Sequence, residues 1–149
     1  MNNLKKQFGN KKVSKSQKTQ LVQKVFDDVA GKYNLMNDLM SLGTHRVWKK
    51  ILVDLINPQN NQKIIDIGTG TSDISSKILQ KNNSVDIFSA DLNYLMLKNS
   101  KTNKYISEKI KNKLINTNAE ELPFKNNYFD KYIISFCLRN VTDIKKTLN

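Results

Sequence analysis

The sequence predicts an α/β fold, a helical cap followed by a parallel sheet with crossover helices, and three observations carry that expectation. From Lys63 onward short β-rich runs alternate with helical ones, the pattern of parallel strands joined by crossovers. The first of those runs breaks into a glycine turn, "KIIDIGTGTSDIS" at 63–75, as Rossmann-like sheets do where a strand hands over to a helix. Ahead of it, apolar residues recur at helical spacing rather than in alternation.

Taken in order, residues 1–17 read as a basic lead-in without periodicity and with little expected order. Residues 18–58 read as the cap. In "TQLVQKVFDDVAGKY" the positions Leu21, Val22, Val25, Phe26 and Val29 fall on one helical face, and Gly31 marks the end. "LMNDLMSLG" reads as a second helical piece closed by Gly43. "THRVWKKILVDLI" reads as a third, with Val47, Trp48, Ile51, Leu52, Leu55 and Ile56 on one side and Asn57-Pro58 as its stop. Residues 59–149 read as the core: strand "KIIDI", helix "SDISSKILQK", strand "VDIFSA", helix "YLMLKNSKTNKYISEKI", strand "KLINTN" and strand "FDKYIISFC". No internal repeat is present.

Composition narrows the function classes. No apolar run approaches the roughly 18–20 residues a bilayer span needs, and the lysine-rich start lacks the apolar block of a secretory signal, so the expected location is the cytoplasm. One cysteine, Cys137, and one histidine, His45, leave no disulfide and no metal-ligand cluster to build, so no metal is expected. The net charge of +12 invites a nucleic-acid reading. Nearly all of it is lysine scattered among asparagines, with Arg46 and Arg139 the two arginines, so no specific nucleic-acid partner is expected and the charge is assigned to solvated faces.

The glycine turn sets the ligand question. Gly68 and Gly70 fit the first two positions of GxGxxG, but Asp73 stands at the third, where a carboxylate would repel a pyrophosphate across the helix N-terminus. The GK[ST] ending of a P-loop is absent as well. A phosphate-free adenosyl ligand bearing an ammonium and a sulfonium suits a turn rimmed by Asp66 and Asp73, which points to S-adenosyl-L-methionine. Asp91 closes the next strand at about the 20-residue interval where an acid accepts from ribose hydroxyls. The plainer alternative gives Asp73 a capping role and Asp91 a strand end, and capping is compatible with binding.

Two stretches then carry a resemblance. "YNLMNDLMSLGTHRVW" (33–48), and "NAEELPFKNNYFD" running into "ISFCLRNVTD" (118–143), are similar to signatures of the demethylmenaquinone and 2-polyprenyl-6-methoxy-1,4-benzoquinol methyltransferase family of ubiquinone and menaquinone biosynthesis. Phe8, Gly9 and Val13 resemble the lead-in of many members. The resemblance implies a class I S-adenosylmethionine-dependent methyltransferase fold, here an incomplete parallel sheet holding the first four of seven strands in the order 3-2-1-4. The apolar "YIISFCL" strand would then form a sheet edge, and a complementing C-terminal fragment becomes an expected partner. It implies cofactor contacts at Thr71, Asp91, Asn118, Ala119 and Ser135, beside Asp66, Gly68 and Gly70 of the turn. For Ser135 an ordinary core hydroxyl is an equal alternative.

The implied chemistry is C-methylation of a polyprenylated quinol, at the inner-membrane face or within a quinone-biosynthesis complex. Arg139 would hold the phenolate, and Tyr33 and His45 would orient or relay a proton. For His45 a role fixing the start of the third helix is favoured, and Trp48 is assigned to the core. Met36 and Met40 would belong to a lid suited to an isoprenoid chain. Against the family pattern, Ser72 and Cys137 replace glycines, Asn34 stands where aspartate is common, and Asn126 replaces an acid. An RNA methyltransferase, motivated by the charge, and a non-catalytic fragment are the competing functions.

Overall fold

The computed structural model describes residues 6–8, 11–102, 106–111 and 113–148, and the side chains from Val13 onward except that of Asn34. Gly9 and the side chain of Phe8 lie outside them. Strands β1 (Lys6–Phe8) and β2 (Lys11–Val13) pair antiparallel, so part of the lead-in has regular structure that its composition does not announce. Helix α1 (Lys15–Val29) then starts on a capping box: Ser14 Oγ accepts from Gln17 N, and Gln17 Oε1 accepts from Ser14 N. That reciprocal pair satisfies two otherwise orphaned amides.

Helices α2 (Tyr33–Ser41) and α3 (Thr44–Ile56) follow, separated by Leu42 and Gly43, both in the left-handed region. Leu52, Val53 and Ile56 of α3 pack on the core. The opposite stripe does not: Val47, Trp48, Ile51 and Leu55 are exposed, Trp48 by 62%. Trp48 is therefore a surface residue and not a core one. The face that packs on the sheet is set by Leu52, Val53 and Ile56, which leaves residues 47, 48, 51 and 55 turned away.

The core is a four-stranded parallel sheet in the order β5 (Leu114–Asn116), β4 (Asp86–Asp91), β3 (Lys63–Ile67), β6 (Lys131–Ile134), the order that the resemblance implies. Strand β3 is buried on both faces beyond Lys63, which explains its isoleucines at 64, 65 and 67, with Asp66 the one buried polar residue among them. Ile64 packs with Ile74 and Ile78 of α4 (Asp73–Lys81), whereas Ile65 and Ile67 pack toward Phe88, Phe124 and Phe129. The long helix expected over 94–110 is instead α5 (Tyr94–Thr102) and α6 (Glu108–Lys111). Ile106 is buried outside either helix, and Ser107 Oγ accepts from Lys109 N at the start of the second. The last described helix, α7 (Ile144–Leu148), receives the Tyr132 hydroxyl on the Thr147 carbonyl at 2.9 Å. Among the described residues no helix is long and apolar enough to cross a membrane.

Candidate functional site

The carboxyl ends of β3, β4 and β6 open into one crevice, with about 900 Å³ of space free of protein atoms when its mouth is included. Ligands of parallel sheets bind at such strand ends, and the size suits a nucleoside-sized molecule. The glycine turn forms its floor. Gly68 and Gly70 take φ of 65° and 57°, and a Cβ at Gly68 would stand 2.4 Å from both Cβ and Sγ of Cys137. Glycine is therefore required at 68 by close approach as well as by backbone. Cys137 fills the space beside it. Burial, with Asp91 and Asp66 nearby, pushes its thiol up to about 11, so the lining sulfur is neutral at physiological pH.

Asp91 is the best-defined polar group in the crevice. Its Oδ2 accepts from Gly70 N and its Oδ1 from Asn93 N, each at 2.8 Å. Burial raises its pKa against the pull of those amides. A carboxylate offers about four acceptor positions, so two amide bonds leave capacity for ligand hydroxyls. Asn118, Ala119 and Ser135 also line the crevice.

Helix α1 closes the crevice from above. Thr19, Val22, Gln23 and Phe26, one helical face, line it. At its N-terminal half, Lys18 Nζ donates to the carbonyls of Val141 and Arg139, and Lys15 Nζ pairs with Asp143 at 3.1 Å. At its C-terminal half, Asn93 Nδ2 donates to Asp27 Oδ1 at 2.7 Å. The first anchors follow β6 and the second follows β4, so α1 runs across the end of β3, which lies between them. The cover is thus α1 and not the methionine-bearing α2. Met40 is 78% exposed, and neither Met36 nor Met40 lines the crevice. Tyr33, at the start of α2, does line it and lies 3.9 Å from where a Gly70 Cβ would be.

Four expected residues are not brought to the crevice wall. Asp66 shares the parity of Ile64 and points under the turn, 1% exposed, where Oδ2 accepts from Thr69 Oγ1 and Ser75 Oγ at 2.8 Å. Burial raises its pKa to about 6 against those hydrogen bonds. It braces the turn from below and does not rim it. Thr71 lines a separate depression with Ala30, Tyr33 and Asn99. His45 is held in the α2–α3 corner, with Nδ1 2.7 Å from Ser41 Oγ and Nε2 3.6 Å from Asp38, the placement favoured for it. Arg139 lies in the turn Leu138–Asn140 with its side chain exposed, while its neighbour Asn140 lines the crevice. Asp73 also departs from expectation: it pairs with Lys49 at 2.7 Å and Lys77 at 3.8 Å, outside the lining. Ser72 does take a positive φ, 60°, and its fully buried hydroxyl accepts from Ser100 Oγ at 2.7 Å.

The electrostatic character survives on other residues. The chain has 25 lysines and arginines against 13 acids, yet the crevice is lined by Asp91 and Glu120 and, among the described residues, by no lysine or arginine. The sequence alone missed Asn93, Asn140 and the α1 face. The helical spacing of Val22 and Phe26 was legible, but which surface it meets was not.

The parallel order, the glycine turn and the acid at the end of β4 together define a Rossmann-like fold of the class I methyltransferases. Solved structures share it: the putative methyltransferase of Haloferax volcanii in complex with the Trm112 activator has a TM-score of 0.62 at 19% identity, over 83% of this chain and 52% of that one. A putative S-adenosyl-L-methionine-dependent methyltransferase from Methanococcus maripaludis has a TM-score of 0.59 at 16% identity, over 96% and 60%. More particularly, residues 11–149 match the ubiE/COQ5 methyltransferase family, and the chain belongs to it. The ubiquinone/menaquinone biosynthesis C-methyltransferase UbiE of Rickettsia prowazekii is 44% identical over 146 residues, covering 95% of this chain and 58% of the relative. That of a Vibrio cholerae O1 strain is 43% identical over 143 residues, covering 95% and 55%. The chain thus spans a little over half the length of these curated relatives.

Proposed function

We propose that this chain carries the methyl-donor half of a quinol C-methyltransferase, binding S-adenosyl-L-methionine in the crevice under α1. The observation that supports this best is local charge: in a strongly basic chain the crevice at the strand ends is lined by acids and, among the described residues, by no lysine or arginine. A cationic ligand is favoured there and a phosphate-bearing one is not. The residues present fit the group. Asp91 would accept from the ribose, Asn118 and Ala119 would flank the adenine, and Gly68 and Gly70 would let the backbone approach. When bound, the sulfonium supplies an electrophilic methyl. The protein's share is alignment and the exclusion of water, for which α1 and the apolar residues Phe26 and Met96 are placed.

The acceptor in this reading is the ring carbon of a demethylmenaquinol or a 2-polyprenyl-6-methoxy-1,4-benzoquinol. Arg139, beside the lining residue Asn140, would stabilise the phenolate that makes that carbon nucleophilic, being too basic to take the proton itself. Tyr33 would orient the ring hydroxyl. The polyprenyl tail places the reaction at a membrane surface.

Calorimetry of the 149-residue chain with S-adenosylmethionine, S-adenosylhomocysteine and ATP tests the first half. The two adenosyl sulfur compounds bind and ATP does not. Methylation of each quinol, by the chain alone and with the C-terminal part of a curated relative supplied, tests the second. Preference for ATP, or cofactor binding with both quinols untouched in both formats, overturns the proposal.

A further inference from the structure

Glu120 stands next to Asn118 and Ala119 on the crevice wall, yet its carboxylate is engaged elsewhere. A single oxygen, Oε1, accepts from Thr142 N at 2.7 Å, Thr142 Oγ1 at 2.7 Å and Asp143 N at 2.9 Å. Burial opposes its ionisation, but those three donors prevail and hold its pKa below the usual carboxylate range. The segment so gripped is the one that seats α1: Asp143 pairs with Lys15, and the Val141 and Arg139 carbonyls receive Lys18. A continuous relay of hydrogen bonds and ion pairs therefore runs from the wall beside Asn118, through residues 139–143, to the helix that covers the crevice.

We propose that Glu120 is a positioning residue that couples occupation of the crevice to the seating of α1 and of the turn bearing Arg139. The inference rests on the reading of the crevice as a cofactor site. A ligand against Asn118 and Ala119 stiffens the wall that carries Glu120, and Glu120 transmits this through 142–143 to α1. Three donors converging on one charged oxygen form a stronger link than neutral hydrogen bonds do. Glutamine keeps an acceptor oxygen at the same reach, whereas alanine removes it. The two substitutions therefore separate geometry from mere presence.

The test is hydrogen exchange of the 149-residue chain with and without S-adenosylhomocysteine, paired with calorimetry, for the wild type, Glu120→Gln and Glu120→Ala. In the wild type the ligand slows exchange in α1 and in 139–143. In Glu120→Ala, exchange in both segments rises about 10-fold while β3 and β4 are unchanged, the ligand no longer protects α1, and affinity falls about 10-fold, the loss of one charge-assisted bond's worth of coupling. Glu120→Gln restores most of both readouts. If Glu120→Ala does not fold, Glu120→Gln and Lys15→Ala carry the test, and Lys15→Ala must loosen α1 without loosening β4. Ligand protection of α1 that persists at wild-type strength in Glu120→Ala, or in Lys15→Ala where Glu120→Ala does not fold, overturns the proposal, as does an affinity loss with unchanged exchange. Failure of the wild type to bind the ligand overturns the cofactor reading instead, and the exchange of unliganded Glu120→Ala then still decides whether Glu120 seats α1.

Discussion

Asp66 lies fully buried under the glycine turn, and its carboxyl should titrate far from the usual range. Burial raises its pKa from 3.8 to about 6, outweighing the hydrogen bonds from Thr69 and Ser75. A folded value above the unfolded one means that the native state holds its proton more tightly. Between pH 3.8 and about 6 the unfolded chain has released that proton and the folded chain has not, so stability falls as pH rises through this window. The gap of about two powers of ten in proton affinity corresponds to about 3 kcal/mol, fully present as a cost above pH 6 and absent below pH 3.8. Urea unfolding of the wild type and Asp66→Asn at pH 4, 5, 6 and 7 isolates the contribution. The stability of the wild type minus that of the variant should drop by about 2.5 kcal/mol from pH 4 to 7, the rest of the change lying below pH 4. Carbon-detected titration of the Asp66 carboxyl should have its midpoint near 6. A midpoint at or below the ordinary 3.8, or a stability difference independent of pH, would refute the argument that this carboxylate is a dry brace.

Ser72→Gly relieves the positive φ but strands the buried Ser100 hydroxyl. It should therefore destabilise by about 1 kcal/mol, and a double-mutant cycle with Ser100→Ala, followed by urea unfolding, should show coupling of about 1 kcal/mol. Cys137, with its thiol raised to about 11 by burial and the nearby carboxylates, should react with a thiol reagent at a rate that keeps climbing with pH and reaches no plateau below pH 10. A plateau near the ordinary thiol range would contradict the crowding against Gly68. Trp48 is the chain's single tryptophan and is 62% exposed. Acrylamide should quench its fluorescence almost as well as that of a free indole, and Trp48→Ala should change stability by no more than about 0.5 kcal/mol.

What the sequence discloses and what it hides divide along physical lines. Strand β3 was legible because a strand buried on both faces is rich in branched apolar residues, and the strand read at "KIIDI" coincides with it residue for residue despite the buried Asp66. The stops at Gly43 and Asn57 were legible too, since each occupies the left-handed region that ends a helix. Strand β6 ends at Ile134, earlier than its apolar run, and Phe136 takes a φ of 57°. Apolarity does not report where a backbone turns. The run over 94–110 misled for a similar reason: Ile106 and Ile110 keep a helical spacing of four, yet Ile106 and Ser107 stand outside either helix. Among the site residues, Gly68, Gly70, Asp91, Asn118, Ala119, Ser135 and Tyr33 meet at one crevice. Asp66 and His45 do not, because polar side chains near a glycine turn or a helix start can serve the fold as readily as a ligand. Strand parity could have warned of Asp66, which shares a face with Ile64 and not with Ile67.

Of the acids beside the glycine turn, Asp73 pairs with a lysine and Asp91 lines the crevice. Asp73 was expected to repel pyrophosphate, but its charge is spent on Lys49 at 2.7 Å. Much of the acidic complement is spent likewise on lysines and an arginine: Asp38 on Arg46, Asp54 on Lys81, Asp86 on Lys113, Glu121 on Lys146. Such exposed pairs contribute little to stability, yet they neutralise the acids that a count of residues near the turn would enlist. Asp91 and Glu120 remain on the crevice wall. Glu120 is held by Thr142 and Asp143, which leaves Asp91: at about 4 Å, with an effective dielectric near 20, its unit charge would act on a cationic ligand with about 4 kcal/mol, whereas a solvent-facing lysine more than about 10 Å away is largely screened at physiological salt. The net charge of +12 therefore governs what approaches the surface, and in the proposed reading the Asp91 carboxylate, one of thirteen acids, governs what can stay in the crevice. Raising the salt should weaken nonspecific adhesion of polyanions steeply and leave adenosyl-ligand affinity nearly constant, because only the first interaction is made through water.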